Sequence, residues 1–205
     1  MNKVIFTLIL ALLSFRALSE DWPANTPVPA LVHKVIGQVL YDGKILKAGD
    51  KIEKKGLLET REKSLVQLKI EAYNNTISIG PNSKMVFDPS GEKKYTLDQG
   101  SCRWKTDVKN SLKGSAHGKV FTKTVAMGVR GTDFLVKSFA LFGEVEIIML
   151  DGEVQMENLE DPSNTVLVKK GQWGGMGGRY GKKIAPPIEI PATALATFEK
   201  LIEAP

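Results

Sequence analysis

From Val35 to Lys170 the chain is written in short apolar runs of alternating character, each closed by a turn signal. The runs include VIGQVLY, SLVQLKIE, KMVF, DFLVKSF, EVEIIML and TVLVKK; the punctuation includes YDGK, KAGDK, YNNT, DPSG and LDGE. A period of two sends alternate side chains to opposite faces of a strand. Asp-Gly between such runs suits a type I′ turn, whose two central residues need positive φ. The rhythm predicts an all-β protein of many short strands: an antiparallel β-sandwich or roll, or a short β-solenoid. A helical period returns only near the end. Leu195, Phe198 and Ile202 fall at i, i+3 and i+7 with Leu201 beside them. That is one face of a short C-terminal amphipathic helix, which at this length needs a surface to pack against.

Four segments are expected. Residues 1–19 carry a basic start, an apolar stretch and a small-x-small cut pattern at Ala17 and Ser19, as a secretory signal peptide does. Residues 20–34, with three prolines in DWPANTPVPA, read as an extended leader. Residues 35–173 hold the β domain, and residues 174–205 form a Gly/Pro-rich exit followed by the helix. GQWGGMGGRYG is read as that flexible exit. Its glycines have neither the strand-to-helix context nor the Lys-Ser/Thr of a phosphate loop. The expected product is periplasmic or secreted, with no integral membrane segment after signal cleavage.

Charge and chemistry exclude several functions. The formal charge is +5 and falls to +3 without Lys3 and Arg16, too mild an excess to point to nucleic acid. Residues 93–137 hold ten Lys/Arg against three Asp, and residues 138–168 hold seven acids and no base. Neighbouring strands pairing opposite charges is the favoured account; a basic face for an anionic polymer is the alternative. Cys102 is the only cysteine and alternates with Trp104, so it reads as a small buried hydrophobe. His33 and His117 sit in loop-like contexts with no ligand spacing. No nucleophile elbow or marked carboxylate dyad occurs. No enzyme activity, cofactor or metal is expected. Asn74-Asn75-Thr76 fits a glycosylation pattern but reads as a turn.

AMGVRGTDFLV (126–136) breaks the rhythm. Met127 and Val129 share one parity, Phe134 and Val136 the other. One extra residue in a β-bulge at Gly131 restores a single apolar face. Arg130 then supplies five donors for unpaired carbonyls at the distortion, or for Asp133. The group Arg130, Gly131, Thr132, Asp133 and Phe134 is therefore the candidate motif, read first as a strand-bending clamp and second as an interaction site.

At these residues KTVAMGVRGTDFLV resembles the signature of the FecR domain. LKAGDKIEKKGLLETREKSLVQLKI, TISIGPNSKMVF, YTLDQGSCRW, VEIIMLDGEVQM and VLVKKGQW are similar to its other elements, covering about residues 35–173. The resemblance implies an all-β extracytoplasmic domain. In the founding iron-uptake regulators such a domain relays a signal from an outer-membrane transporter to a cytoplasmic sigma factor. An N-terminal cytoplasmic anti-sigma segment, a transmembrane helix and a transporter-facing C-terminal domain are not seen here. The expected function is a non-enzymatic envelope module for protein binding, scaffolding or signalling with an envelope protein partner. Binding of peptidoglycan or another anionic cell-wall polymer through residues 93–137 is the alternative.

Overall fold

The computed structural model describes residues 27–90, 94–107, 118–129, 132–177 and 181–196. Among the described residues, seventeen strands pair into one continuous network that folds into two layers, A and B, around one core. The chain enters layer A as β1 (Ala30–Ile36). It crosses to B for the hairpin β2 (Val39–Tyr41) and β3 (Lys44–Ile45), then touches A as β4 (Lys51–Ile52). β5 (Gly56–Thr60) lies in B, β6 (Leu65–Ile70) and β7 (Asn75–Ile79) pair in A, and β8 (Lys84–Phe87) returns to B. The long β9 (Lys94–Thr106) belongs to both layers. Hairpin β10 (Lys119–Phe121) and β11 (Val125–Gly128) follows in B, then β12 (Asp133–Phe139) and β13 (Glu144–Asp151) in A. β14 (Glu153–Asn158) and β15 (Thr165–Lys169) close B; β16 (Gln172–Met176) and β17 (Ile188–Glu189) close A. A helical turn, α1, occupies 192–196.

All these pairings are antiparallel except β9 with β10. This is the pairing of a sandwich assembled from hairpins laid alternately on two sheets, rather than the parallel stacking of solenoid coils. β9 is the hinge between the layers. Tyr95 on its first half and Trp104 on its second have ring centroids 5.0 Å apart, whereas nine residues of straight strand would span ~30 Å. The bend falls at Gly100, whose φ is +97°. A Cβ there would sit 2.5 Å from Ser83 Cα, so only glycine fits both the conformation and the space. Phe87, Tyr95 and Trp104 pack in succession as tilted ring pairs in the core that the bend encloses.

Several expectations need correction. β1 starts at Ala30, inside the segment read as leader, and Val28 is already buried. GQWGGM is no flexible exit: β16 is a strand of layer A, with Gly174 and Gly175 buried. A Cβ on Gly174 would lie 2.8 Å from Val168 on the opposite layer, so these glycines let the layers approach. His33 is an exposed strand residue at a register shift in β1. Asn74 takes the left-handed turn conformation (φ 54°), and its N–H donates to the Glu71 carbonyl. The signal segment and His117 lie outside the described residues, as do Phe198, Leu201 and Ile202 of the terminal stripe.

Candidate functional site

The motif at 126–136 marks a corner between the layers. β11 lies in B and β12 in A, so the two parities belong to strands of different layers, and the pairing of β12 with β13 shifts register between Asp133 and Phe134; the bulge expected at Gly131 lies outside the described residues. Val125, Met127 and Val129 face the core from one layer; Phe134 and Val136 face it from the other. Arg130 and Gly131 lie outside the described residues. Thr132 is buried, and its carbonyl accepts the Thr106 N–H at 3.0 Å. Asp133 opens β12 on the outer face of layer A. It accepts two parallel hydrogen bonds, from Arg103 Nε and Nη2, both 2.8 Å. The two side chains are only 10% and 14% exposed. A bidentate, largely desolvated fork is the strong form of this ion pair.

Arg103 is the residue that sequence reasoning missed. Its alternation with Cys102 and Trp104 puts it on the outer face, but nothing local shows that the chain returns β12 alongside β9. The fork fixes the corner and commits the carboxylate to a structural bond, so the described part of the motif offers no reactive group. Phe134 is core, opposite Trp104.

Next to the fork the same outer face turns apolar. Across layer A the register runs Arg103, Leu135, Ile148, Trp173, Ile188. Leu135, Ile148 and Trp173 are half-buried and Ile188 is 55% exposed. Residues 188–194 form the opposite wall. They are held on β16 by Ile190 N–H to the Gly171 carbonyl (2.8 Å) and by Gln172 Nε2 to Glu189 Oε1 (2.7 Å). Between these walls lies a groove of about 660 Å³ with Lys137 and Glu146 at its side. Such a surface suits an apolar ridge, for instance one face of an amphipathic helix.

Other features carry less. Among the described residues no group of three or more His, Cys, Asp or Glu could hold a metal ion. Cys102 is fully buried, and burial pushes its thiol up to about 12, so it is an inert core residue. The basic stretch does not make one face. Arg103 is paired with Asp133, Lys137 lies opposite Glu146, and Lys94 neighbours Lys119 on layer B. On the acidic stretch, Asp151 pairs with Lys170 at 2.9 Å and Glu153 lies opposite Lys169. Opposite charges meet at Arg103–Asp133 and Lys170–Asp151, whereas Lys94 and Lys119 are like charges side by side. The β12–β13 turn exposes Leu141 and Phe142 (86% and 68%). No described helix is long and apolar enough to cross a membrane.

Comparison with known proteins agrees with this geometry. Residues 57–155 match the family model described as FecR protein. These residues run from β5 through β14 and include the bent β9, the corner and the fork. No curated protein matches the chain. Two crystal structures of a candidate anti-sigma factor from Parabacteroides distasonis ATCC 8503 are similar, both with a TM-score of 0.55. Their identity is 13% and 12%, and each covers 70% of this chain. The match spans 64% and 63% of their lengths, so the likeness is one of fold.

Proposed function

We propose that this chain, which carries a FecR domain, is a non-enzymatic regulatory module of the cell envelope that works by holding a protein partner. The family match supports a signalling or regulatory role. The observation that carries the binding role is the apolar row Leu135–Ile148–Trp173 on the outer face of a sheet whose core side is already complete. Covering the remaining exposed area of three such side chains is worth roughly 1 kcal/mol each. That is enough for a specific but reversible contact. The envelope location rests on the signal-like residues 1–19, and the partner is accordingly an envelope protein.

The test is in-cell crosslinking of the tagged full-length protein, purification from the envelope fraction and mass spectrometry, beside a Trp173→Ser variant. One dominant protein partner, lost in the variant, is the expected result. Recovery only with cell-wall sacculi, unchanged by Trp173→Ser, would overturn the reading in favour of polymer binding.

A further inference from the structure

Layer B ends in β15, which among the described residues pairs with β14 alone. The ends of that pairing fix its hydrogen-bond phase. Asn158 N–H donates to the Asn164 carbonyl at 3.2 Å, and Lys170 N–H to the Gly152 carbonyl at 2.9 Å. Bonded and non-bonded pairs alternate along an antiparallel ladder. Val166 and Val168 therefore turn their main-chain groups towards β14, and Thr165, Leu167 and Lys169 turn theirs to the open edge. Lys169 N–H donates there to Gln172 Oε1 at 2.9 Å. Among the described residues, the main-chain N–H and C=O of Thr165 and Leu167 have no partner. The edge meets water: Thr165 is exposed and Leu167 is 43% exposed, and the inward-pointing Val166 is only half-buried. The opposite end of layer B is β3, just two residues long. Short edges of that kind resist strand pairing, whereas an apolar edge strand without proline or bulge invites it.

We infer that β15 is a dimerisation edge: two copies of this chain pair antiparallel along it, about a two-fold axis at Leu167, and join their B layers into one sheet. The edge is complementary to itself. With Leu167 opposite Leu167 of the second copy, each N–H meets the other's carbonyl. With Thr165 opposite Lys169 of the second copy, each Thr165 N–H meets a lysine carbonyl, and the Gln172 cap on Lys169 stays in place. The side chains agree. In register, Gln155 lies beside Leu167, Glu157 beside Thr165 and Glu153 beside Lys169. Across the joint the central row reads Gln155, Leu167, Leu167, Gln155, so the two exposed leucines cover each other. The flanking rows read Glu157, Thr165, Lys169, Glu153, so no like charges meet and each lysine keeps its acidic neighbour. The contact is one short strand long, well below the size of a standard interface. It is therefore a reversible pairing, with a dissociation constant of roughly 100 μM. The inference goes beyond the partner reading and does not rest on it, because the apolar row lies on layer A.

Two measurements on the full-length protein, purified from the envelope fraction, test it. The first is sedimentation equilibrium. A reversible rise from monomer towards dimer mass is expected as concentration goes from about 10 μM to about 1 mM. Leu167→Pro removes only an outward N–H, and proline is tolerated on an edge strand. Leu167→Lys sets two cations side by side across the axis. Each is expected to weaken association at least tenfold while leaving the thermal midpoint within about 4 °C. A monomer at every concentration would overturn the proposal, as would association unchanged by Leu167→Lys, which decides the matter if the proline variant fails to fold. In the second measurement, Leu167→Cys is treated with a short bismaleimide, while buried native Cys102 reports any unfolding. A crosslink between two chains is expected, and none from Ile45→Cys on the β3 edge. A crosslink through position 45 and none through position 167 would overturn the proposal and assign the contact to the other edge.

The partner reading fails separately. Trp173→Ser is expected to leave self-association unchanged; its loss in that variant would place the contact on layer A and overturn the β15 assignment. If the protein stays monomeric but Trp173→Ser still loses the partner, only the dimer falls. If β15 pairs but capture is indifferent to Trp173, only the partner surface falls.

Discussion

Arg103–Asp133 and Leu135–Ile148–Trp173 are neighbours on one face of one sheet, yet they have opposite characters. The first is closed: two hydrogen bonds of 2.8 Å satisfy a fork that solvent barely reaches. The second is open: an apolar row against a groove of about 660 Å³. Asp133 of the recognisable RGTD motif contributes to the closed part, and the open row is drawn from three strands with no motif. Of that motif, Asp133 is committed to a structural ion pair, while the apolar row is built from ordinary strand residues brought together by register.

The comparison can be broken most completely at β9, which carries Arg103 and underlies both regions. Gly100→Ala forces a positive-φ alanine against Ser83. It is expected to cost about 3 kcal/mol from conformational strain and overpacking together, read as a lowered denaturant midpoint with both regions lost. Arg103→Met strikes the closed region alone. Leaving Asp133 without its partner is expected to cost about 2 kcal/mol, while partner capture by the folded fraction persists. Adding Asp133→Leu should recover part of that loss, because an apolar pair tolerates burial better than a lone carboxylate; no recovery would mean that the fork is not the source of the cost.

A pH series separates the inner face of the same strand from the outer. The Cys102 thiol is held protonated by burial, with its value raised from 9.0 to about 12. Its contribution is therefore intact below pH 9 and is lost as pH rises towards 12. The penalty relative to Cys102→Ala should be about 1 kcal/mol by roughly pH 10; parallel curves for the two proteins would show that the thiol is not buried in this way. The smallest stability effect belongs to the open region. Trp173→Ser is expected to change stability by less than about 1 kcal/mol while abolishing partner capture. A large fall in thermal midpoint would place Trp173 in the structural rather than the binding half of the comparison.

Much of the strand content is legible from alternation, because a half-buried strand must repeat every two residues whatever its partners. The sheet to which each strand belongs is not. Asp42-Gly43 and Asp151-Gly152 look alike in sequence, and each reads as the turn of a hairpin. The first is one, with φ of 48° and 76°, joining β2 to β3. The second instead carries the chain from β13 in layer A to β14 in layer B. A turn dipeptide sets local dihedral angles; the long-range partners waiting on each side decide where the chain goes. The glycine-rich GQWGGM likewise reads as a loop, because close approach of two layers is a tertiary demand that looks in sequence like flexibility.

The sequence by itself determined the all-β character, the apolar side of each strand, the inert cysteine and the resemblance to the FecR family, since these follow from periodicity, residue chemistry and a local pattern. Only the tertiary structure decided that Asp133 is held by Arg103, thirty residues upstream, and that Leu135, Ile148, Trp173 and the start of the C-terminal segment share one groove. Both arise from strand register between distant segments, and register is fixed by how the whole core packs rather than by any stretch of chain read alone.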